Sequence, residues 1–148
     1  MKLTLNLRQS VAVSFAAGVV GALAVVLFSL VLNLSGVGPA LGVDAPSKFS
    51  PPDIYRPLFW GGLWGIPFGF LLRKLWDRLT LAGFLYFLAP VAALYLIFSP
   101  MRGTGLFGLD KGPGFTLYLA LVNTPYGIVT AMTVRWLAGG KSGWSHKG

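Results

Sequence analysis

The apolar positions fall into four long uncharged runs, and the charged positions gather between them. Val11 to Leu32 carries 22 residues without a charge. At ~1.5 Å per residue, such a helix crosses a hydrocarbon core of roughly 30 Å. Lys2 and Arg8 precede the run as they would in a signal peptide. However, the run exceeds the usual length of that apolar segment, and Gly38-Pro39-Ala40 is a poor cleavage site. It is read as a retained helix, with the alternating Leu3, Leu5 and Leu7 as an interfacial lead-in.

The second helix is predicted over 54–72, although only Leu58 to Leu72 is free of charge. That is short for a span, so Arg56 would snorkel to the interface or the bilayer would thin. The third helix is predicted over 79–98, with Pro90 inside it, and the fourth over 115–134, with Asn123-Thr124-Pro125 near its centre. The Gly- and Pro-rich stretches 33–53 and 99–114 read as outer loops, and 135–148 as a tail. Pro51-Pro52 is expected to stop any helix entering it. The expected fold is one integral membrane domain over 1–148: all-α, with four transmembrane helices.

The second helix has a distinctive surface. Gly61, Gly65 and Gly69 recur every four residues and so share one face, with Trp60, Trp64 and Phe68 as an adjacent stripe. Three glycines and Pro67 would be costly in a soluble helix. In lipid, glycines let a second helix approach closely, and neighbours satisfy the carbonyl that a proline frees. Gly18 and Gly21, with Ala17 and Ala22, give the first helix a similar small-residue face. The aromatic stripe either lines a site for a lipid, quinone or pigment, or packs against helices and acyl chains.

Helices two and four share a pattern: Leu63, Pro67-Phe68-Gly69 aligns with Leu121, Pro125-Tyr126-Gly127. Helices one and three align more weakly, Ala22 and Leu27-Phe28-Ser29 with Ala92 and Ile97-Phe98-Ser99. Two tandem helical hairpins, related by an axis along the membrane normal, are one reading. Chance matching of Leu-, Gly- and Phe-rich sequence is the other.

Charge sets the orientation. The chain has 12 Lys+Arg against 4 acids, all Asp, and only 11% charged residues. Soluble proteins carry about one quarter. The basic residues flank apolar runs, which argues for membrane topology and against nucleic-acid binding. The N-terminus, the 73–78 turn and the tail hold eight basic residues and one acid, whereas the two Gly-rich loops hold four basics and three acids. The positive-inside rule then places both termini in the cytoplasm, and a bacterial inner membrane is the expected location.

Chemistry is sparse. There is no Cys and a single His, so no metal or cofactor is expected. No ionisable residue lies deep in a helix, which argues against ion-coupled transport. Ser14, Ser29, Thr124, Thr130 and Thr133 have no base beside them, and a nucleophilic Ser needs one. Asp44, Asp53 and Asp110 are expected to bridge to Arg56 and Arg102 between the outer loops. Gly103-Thr104-Gly105-Leu106-Phe107-Gly108 fits a dinucleotide fingerprint but lacks the strand before it, so it reads as a flexible loop. Gly140-Lys141-Ser142 resembles the end of a P-loop, but Arg135 stands where the first glycine should be. Asn33-Leu34-Ser35 is a formal glycosylation sequon at a helix end.

Asn123 is the most informative polar residue. Its plain role is an interhelical hydrogen bond, worth about 0.6 to 2 kcal/mol. Its sharper role is ligand contact at the bilayer midplane, because Pro-broken helices at matching positions mark such sites. Pro67 and Pro125 would free the carbonyls of Leu63 and Leu121 nearby. Two functions follow. The first is a non-enzymatic accessory, assembly or structural subunit that packs against a membrane-protein partner or a second copy through the Gly61/Gly65/Gly69 face. The alternative is a small oligomeric transporter or channel for a neutral or lipid-like solute, with a midplane site at Asn123, Thr124, Pro125, Pro67 and Trp64.

Overall fold

The computed structural model describes residues 5–43 and 50–139. Helix α1 spans Leu7–Leu34, and a short α2 follows at Val37–Ala40. Helix α3 spans Pro51–Leu75, and a 3-10 turn at Trp76–Arg78 leads into α4, Leu79–Tyr86. Then come α5, Leu88–Ala93, a π-helical stretch, Leu94–Phe98, and α6, Ser99–Met101. A 3-10 segment at Leu106–Lys111 precedes α7, Pro113–Gly139. There is no strand among the described residues.

Three helical runs are long and apolar enough to cross a membrane: Leu7–Leu34, Pro51–Met101 and Pro113–Gly139. The middle run has 51 residues. Drawn straight, it would extend roughly 75 Å, more than twice a hydrocarbon core. It is not straight. The Tyr86 hydroxyl donates to the Trp64 carbonyl at 2.6 Å, and the rings of Trp60 and Phe98 lie 5.4 Å apart. The chain therefore reverses at the 76–78 turn, and α4 to α6 run back beside α3.

Several boundaries differ from the sequence expectation, each for a local reason. Helix α1 begins at Leu7 rather than near 11, because Asn6 and Gln9 form a capping box. The Asn6 side chain accepts from the Gln9 amide at 2.9 Å, and the Gln9 side chain accepts from the Asn6 amide at 3.0 Å. Pro51-Pro52 opens α3 rather than blocking it. The first helical turn has no use for the missing N–H groups, and Asp53 accepts from the Ser50 hydroxyl at 2.6 Å. The third helix is interrupted at Phe87, one turn before Pro90, and runs on to Met101. Helix α7 is longer than 115–134 at both ends. The stretches 33–53 and 99–114 are partly helical, where described, rather than plain loops. Residues 1–4, 44–49 and 140–148 lie outside the described residues, so Leu3 of the lead-in, Asp44 and most of the tail do too.

Helix α1 is the centre of the packing, lying against α3 along most of its length and against α7 on another side. The expected glycine face makes the first contact. A Cβ at Gly65 would overlap the Ser14 carbonyl, and one at Gly69 would lie 2.8 Å from the Val11 Cα. One at Gly61 would lie 2.8 Å from the Gly18 carbonyl oxygen. Gly21 turns to α7, where its Cβ would lie 2.8 Å from the Tyr126 carbonyl oxygen. Gly61, Gly65, Gly69, Gly18 and Gly21 thus all serve contacts within the chain, and α1 fills the face expected to receive a partner.

A second close approach joins α4 to α7. A Cβ at Gly127 would overlap the Gly83 carbonyl, and one at Gly83 would overlap Ala131. The two helical pairs meet around a buried cluster of Ala17, Phe68, Leu72, Leu79, Ala131 and Val134. The Arg73 guanidinium donates to the Leu5 carbonyl at 3.2 Å. Residue 5, the 73–79 turn and the α7 segment near Val134 therefore share one end of the bundle. At the other end, the Tyr95 hydroxyl donates to the Thr116 carbonyl at 2.6 Å and Asn33 donates to the Tyr118 hydroxyl at 3.1 Å.

Candidate functional site

The reversal at 76–78 opens a cleft of about 310 Å³ between α3, the α5–α6 arm, α7 and α1. One wall is a row on α3 at four-residue spacing: Arg56, Trp60 and Trp64. The facing wall is a row on the returning arm, also at four-residue spacing: Pro90, Leu94, Phe98 and Arg102. Four residues overshoot an α-helical turn by ~40°, so a straight α-helix would carry so long a row off the cleft. The wider π-helical turn at Leu94–Phe98 absorbs part of that drift.

The rows run antiparallel, so like meets like. Trp60 touches Phe98 edge-on. Arg56 lies one turn beyond Trp60, and Arg102 one turn beyond Phe98, towards the same end of the bundle. Both arginines are exposed at the mouth. Asn123 and Tyr126 of α7 line the inner part, and Ala22 and Val25 of α1 close the back. Tyr126 is fixed there, because its buried hydroxyl donates to the Gly61 carbonyl at 2.6 Å.

Asn123 reaches the cleft, and its amide donates to the Leu119 carbonyl of its own helix at 2.8 Å. No hydrogen bond to another helix accompanies it among the described residues. Trp64 also lines the cleft. Thr124, Pro125 and Pro67 do not. The Thr124 hydroxyl donates to the Leu121 carbonyl, the one that Pro125 frees, so that acceptor is satisfied within α7. Pro67 is exposed on the outside of α3. The aromatic stripe divides in the same way: Trp60 and Trp64 face the cleft, whereas Phe68 is fully buried, 5.0 Å from the Tyr86 ring.

The expected bridges between the outer loops are not formed among the described residues. Asp53 caps α3 through Ser50, and the Asp110 carboxylate lies beside Gly105. Neither makes an ion pair with Arg56 or Arg102. The Gly-rich motif is a folded turn: Gly103, Gly105 and Gly108 hold φ of 69°, 72° and 74°, which is left-handed backbone that glycine adopts freely. No strand precedes it, so it lacks the setting of a pyrophosphate cradle. Asn33 of the sequon is half-buried and bonded to the Ser29 carbonyl at 2.8 Å, an arrangement set by packing.

Arg56, Arg102, Leu94, Phe98 and Tyr126 complete a site that the sequence alone did not assemble. The i, i+4 relation of each arginine to an aromatic residue was visible, but their pairing across the cleft depends on the reversal. No protein-family model, curated protein or solved structure matches the chain.

Proposed function

We propose that this is a non-enzymatic integral membrane protein that holds a lipid-like molecule in the interhelical cleft. The chain crosses the bilayer four times, with α3 and the α4–α6 arm as separate passes and both termini in the cytoplasm of a bacterial cell. The shared end of residue 5, the 73–79 turn and the α7 terminus supports that path, as does the basic excess on the same segments. Similar small-residue contacts within α1/α3 and α4/α7 also suit two tandem hairpins.

One observation carries the ligand reading: a largely apolar cleft, with few polar groups, reaches Asn123, whose amide is bonded only along its own helix. Ligand sites commonly combine an apolar lining with a few placed polar groups. An accessory subunit docking through Gly61, Gly65 and Gly69 has less support, because a partner there would have to displace α1. Transport of the bound molecule, by a monomer or an oligomer, is a natural extension of the same site.

Leu94→Trp should fill the cleft, and Asn123→Leu should remove its amide, with helicity kept in both. Mass spectrometry of the intact protein, extracted from membrane in mild detergent, should find a lipid-like molecule on the natural chain. That molecule should be largely absent from Leu94→Trp and reduced in Asn123→Leu. Equal loading of all three proteins would remove the cleft as a ligand site.

A further inference from the structure

The cleft has a cationic rim on an apolar body, and this constrains its ligand further. Arg56 and Arg102 come from different arms, yet stand at the same level, each one turn outside an aromatic residue of the Trp60–Phe98 pair. Neither forms a salt bridge among the described residues, although the Asp53 carboxylate, bonded to Ser50, also feels the Arg56 charge from three residues away. The two arginines also run against the charge bias of the described residues, in which Arg8, Arg73, Lys74, Arg78 and Arg135 lie towards the opposite end. A guanidinium offers a planar fork of donors suited to phosphate and carboxylate oxygens. Two forks from two walls suit a tetrahedral phosphate, which presents oxygens in more than one direction. Below the rim the walls are Trp60, Trp64, Leu94 and Phe98, a surface for hydrocarbon.

Resting on the ligand reading above, we propose that the cleft selects an amphiphile whose headgroup is a net-anionic phosphate monoester, held between Arg56 and Arg102 with its chain running down past Trp60 and Phe98 towards Asn123. The occupant is a lipid of the surrounding bilayer rather than free phosphate, because the greater part of the cleft offers nothing to an inorganic anion. The exposed rim lets the headgroup stay near water while the chain lies between the helices.

The test uses the full chain in mild detergent and native mass spectrometry. The probes are dioleoyl phosphatidic acid, dioleoyl phosphatidylcholine with the same chains, and inorganic phosphate. The natural protein should bind one phosphatidic acid at least tenfold more tightly than phosphatidylcholine. Arg56→Gln/Arg102→Gln should lose that preference, Arg56→Lys/Arg102→Lys should keep part of it, and Arg78→Gln/Arg135→Gln should keep it all. Circular dichroism should give equal helicity for every variant, and Arg56→Gln alone should lower the preference if the double variant does not fold. Selectivity that survives both Arg56→Gln and the double variant would overturn the proposal. So would equal binding of the two lipids, or displacement of phosphatidic acid by millimolar inorganic phosphate. If the preference is absent but Leu94→Trp still expels lipid, the ligand reading stands and the headgroup assignment falls.

Discussion

Gly65→Leu should unfold the α1/α3 pair. The added Cβ meets the Ser14 carbonyl and lies 3.1 Å from the Phe15 Cα, so backbone stands where the side chain must go. Overpacking that side chains can absorb costs about 1–3 kcal/mol. No rotamer relieves this contact, so the loss should reach or exceed the top of that range. Apolar burial does little to hold helices together in lipid, where close backbone contact carries much of the association. Unfolding in sodium dodecyl sulfate, followed by circular dichroism, should show a large fall in the midpoint. Gly139→Ala is the control, since a Cβ at Gly139 meets nothing within 4 Å among the described residues. An unshifted midpoint for Gly65→Leu would mean that α1 does not occupy the glycine face.

Gly127→Leu should do comparable damage to the α4/α7 pair. Its Cβ overlaps the Gly83 carbonyl and lies 3.1 Å from the Phe87 amide nitrogen, again backbone. Separation of α7 from α4 would also disturb Tyr126, which bonds Gly61 across the bundle. The midpoint should fall as for Gly65→Leu, and lipid loading should fall with it. A variant as stable as the natural chain would contradict the Gly83–Gly127 approach.

The two contacts differ in how far the sequence displayed them. Gly61, Gly65 and Gly69 announce a packing face by their spacing, and the structure uses all three. Their partner was not legible, because spacing states what a face can accept and not which helix arrives. Gly83 stands alone in its helix, so nothing in the pattern marked it as the counterpart of Gly127. Helix existence followed from apolar runs, whereas helix ends followed from single side chains. Asn6, Gln9, Ser50 and Asp53 moved two starts outward.

The site was half legible for a similar reason. Asn123 and Trp64 were marked by polarity and by size within an apolar run. Thr124 looked like part of the same site, but its hydroxyl is spent on the carbonyl that Pro125 frees. Arg56 and Arg102 looked like loop charges awaiting Asp53 and Asp110. Asp53 is instead held by Ser50 as a helix cap, a local bond that forms without any tertiary contact. Asp53 still feels the Arg56 charge without bridging to it, and both guanidiniums stand at the cleft mouth.

Everything about the cleft depends on α3 and the α4–α6 arm being two passes rather than one. The chain has no cysteine, so a single introduced thiol reports one position. The most direct measurement labels intact cells with a membrane-impermeant thiol reagent, using Ala40→Cys, Asp77→Cys, Lys111→Cys and Trp136→Cys one at a time. Four passes with both termini inside predict labelling at 40 and 111 and protection at 77 and 136. Protection at 111 with labelling at 136 would make Pro51–Met101 a single crossing and would contradict the account.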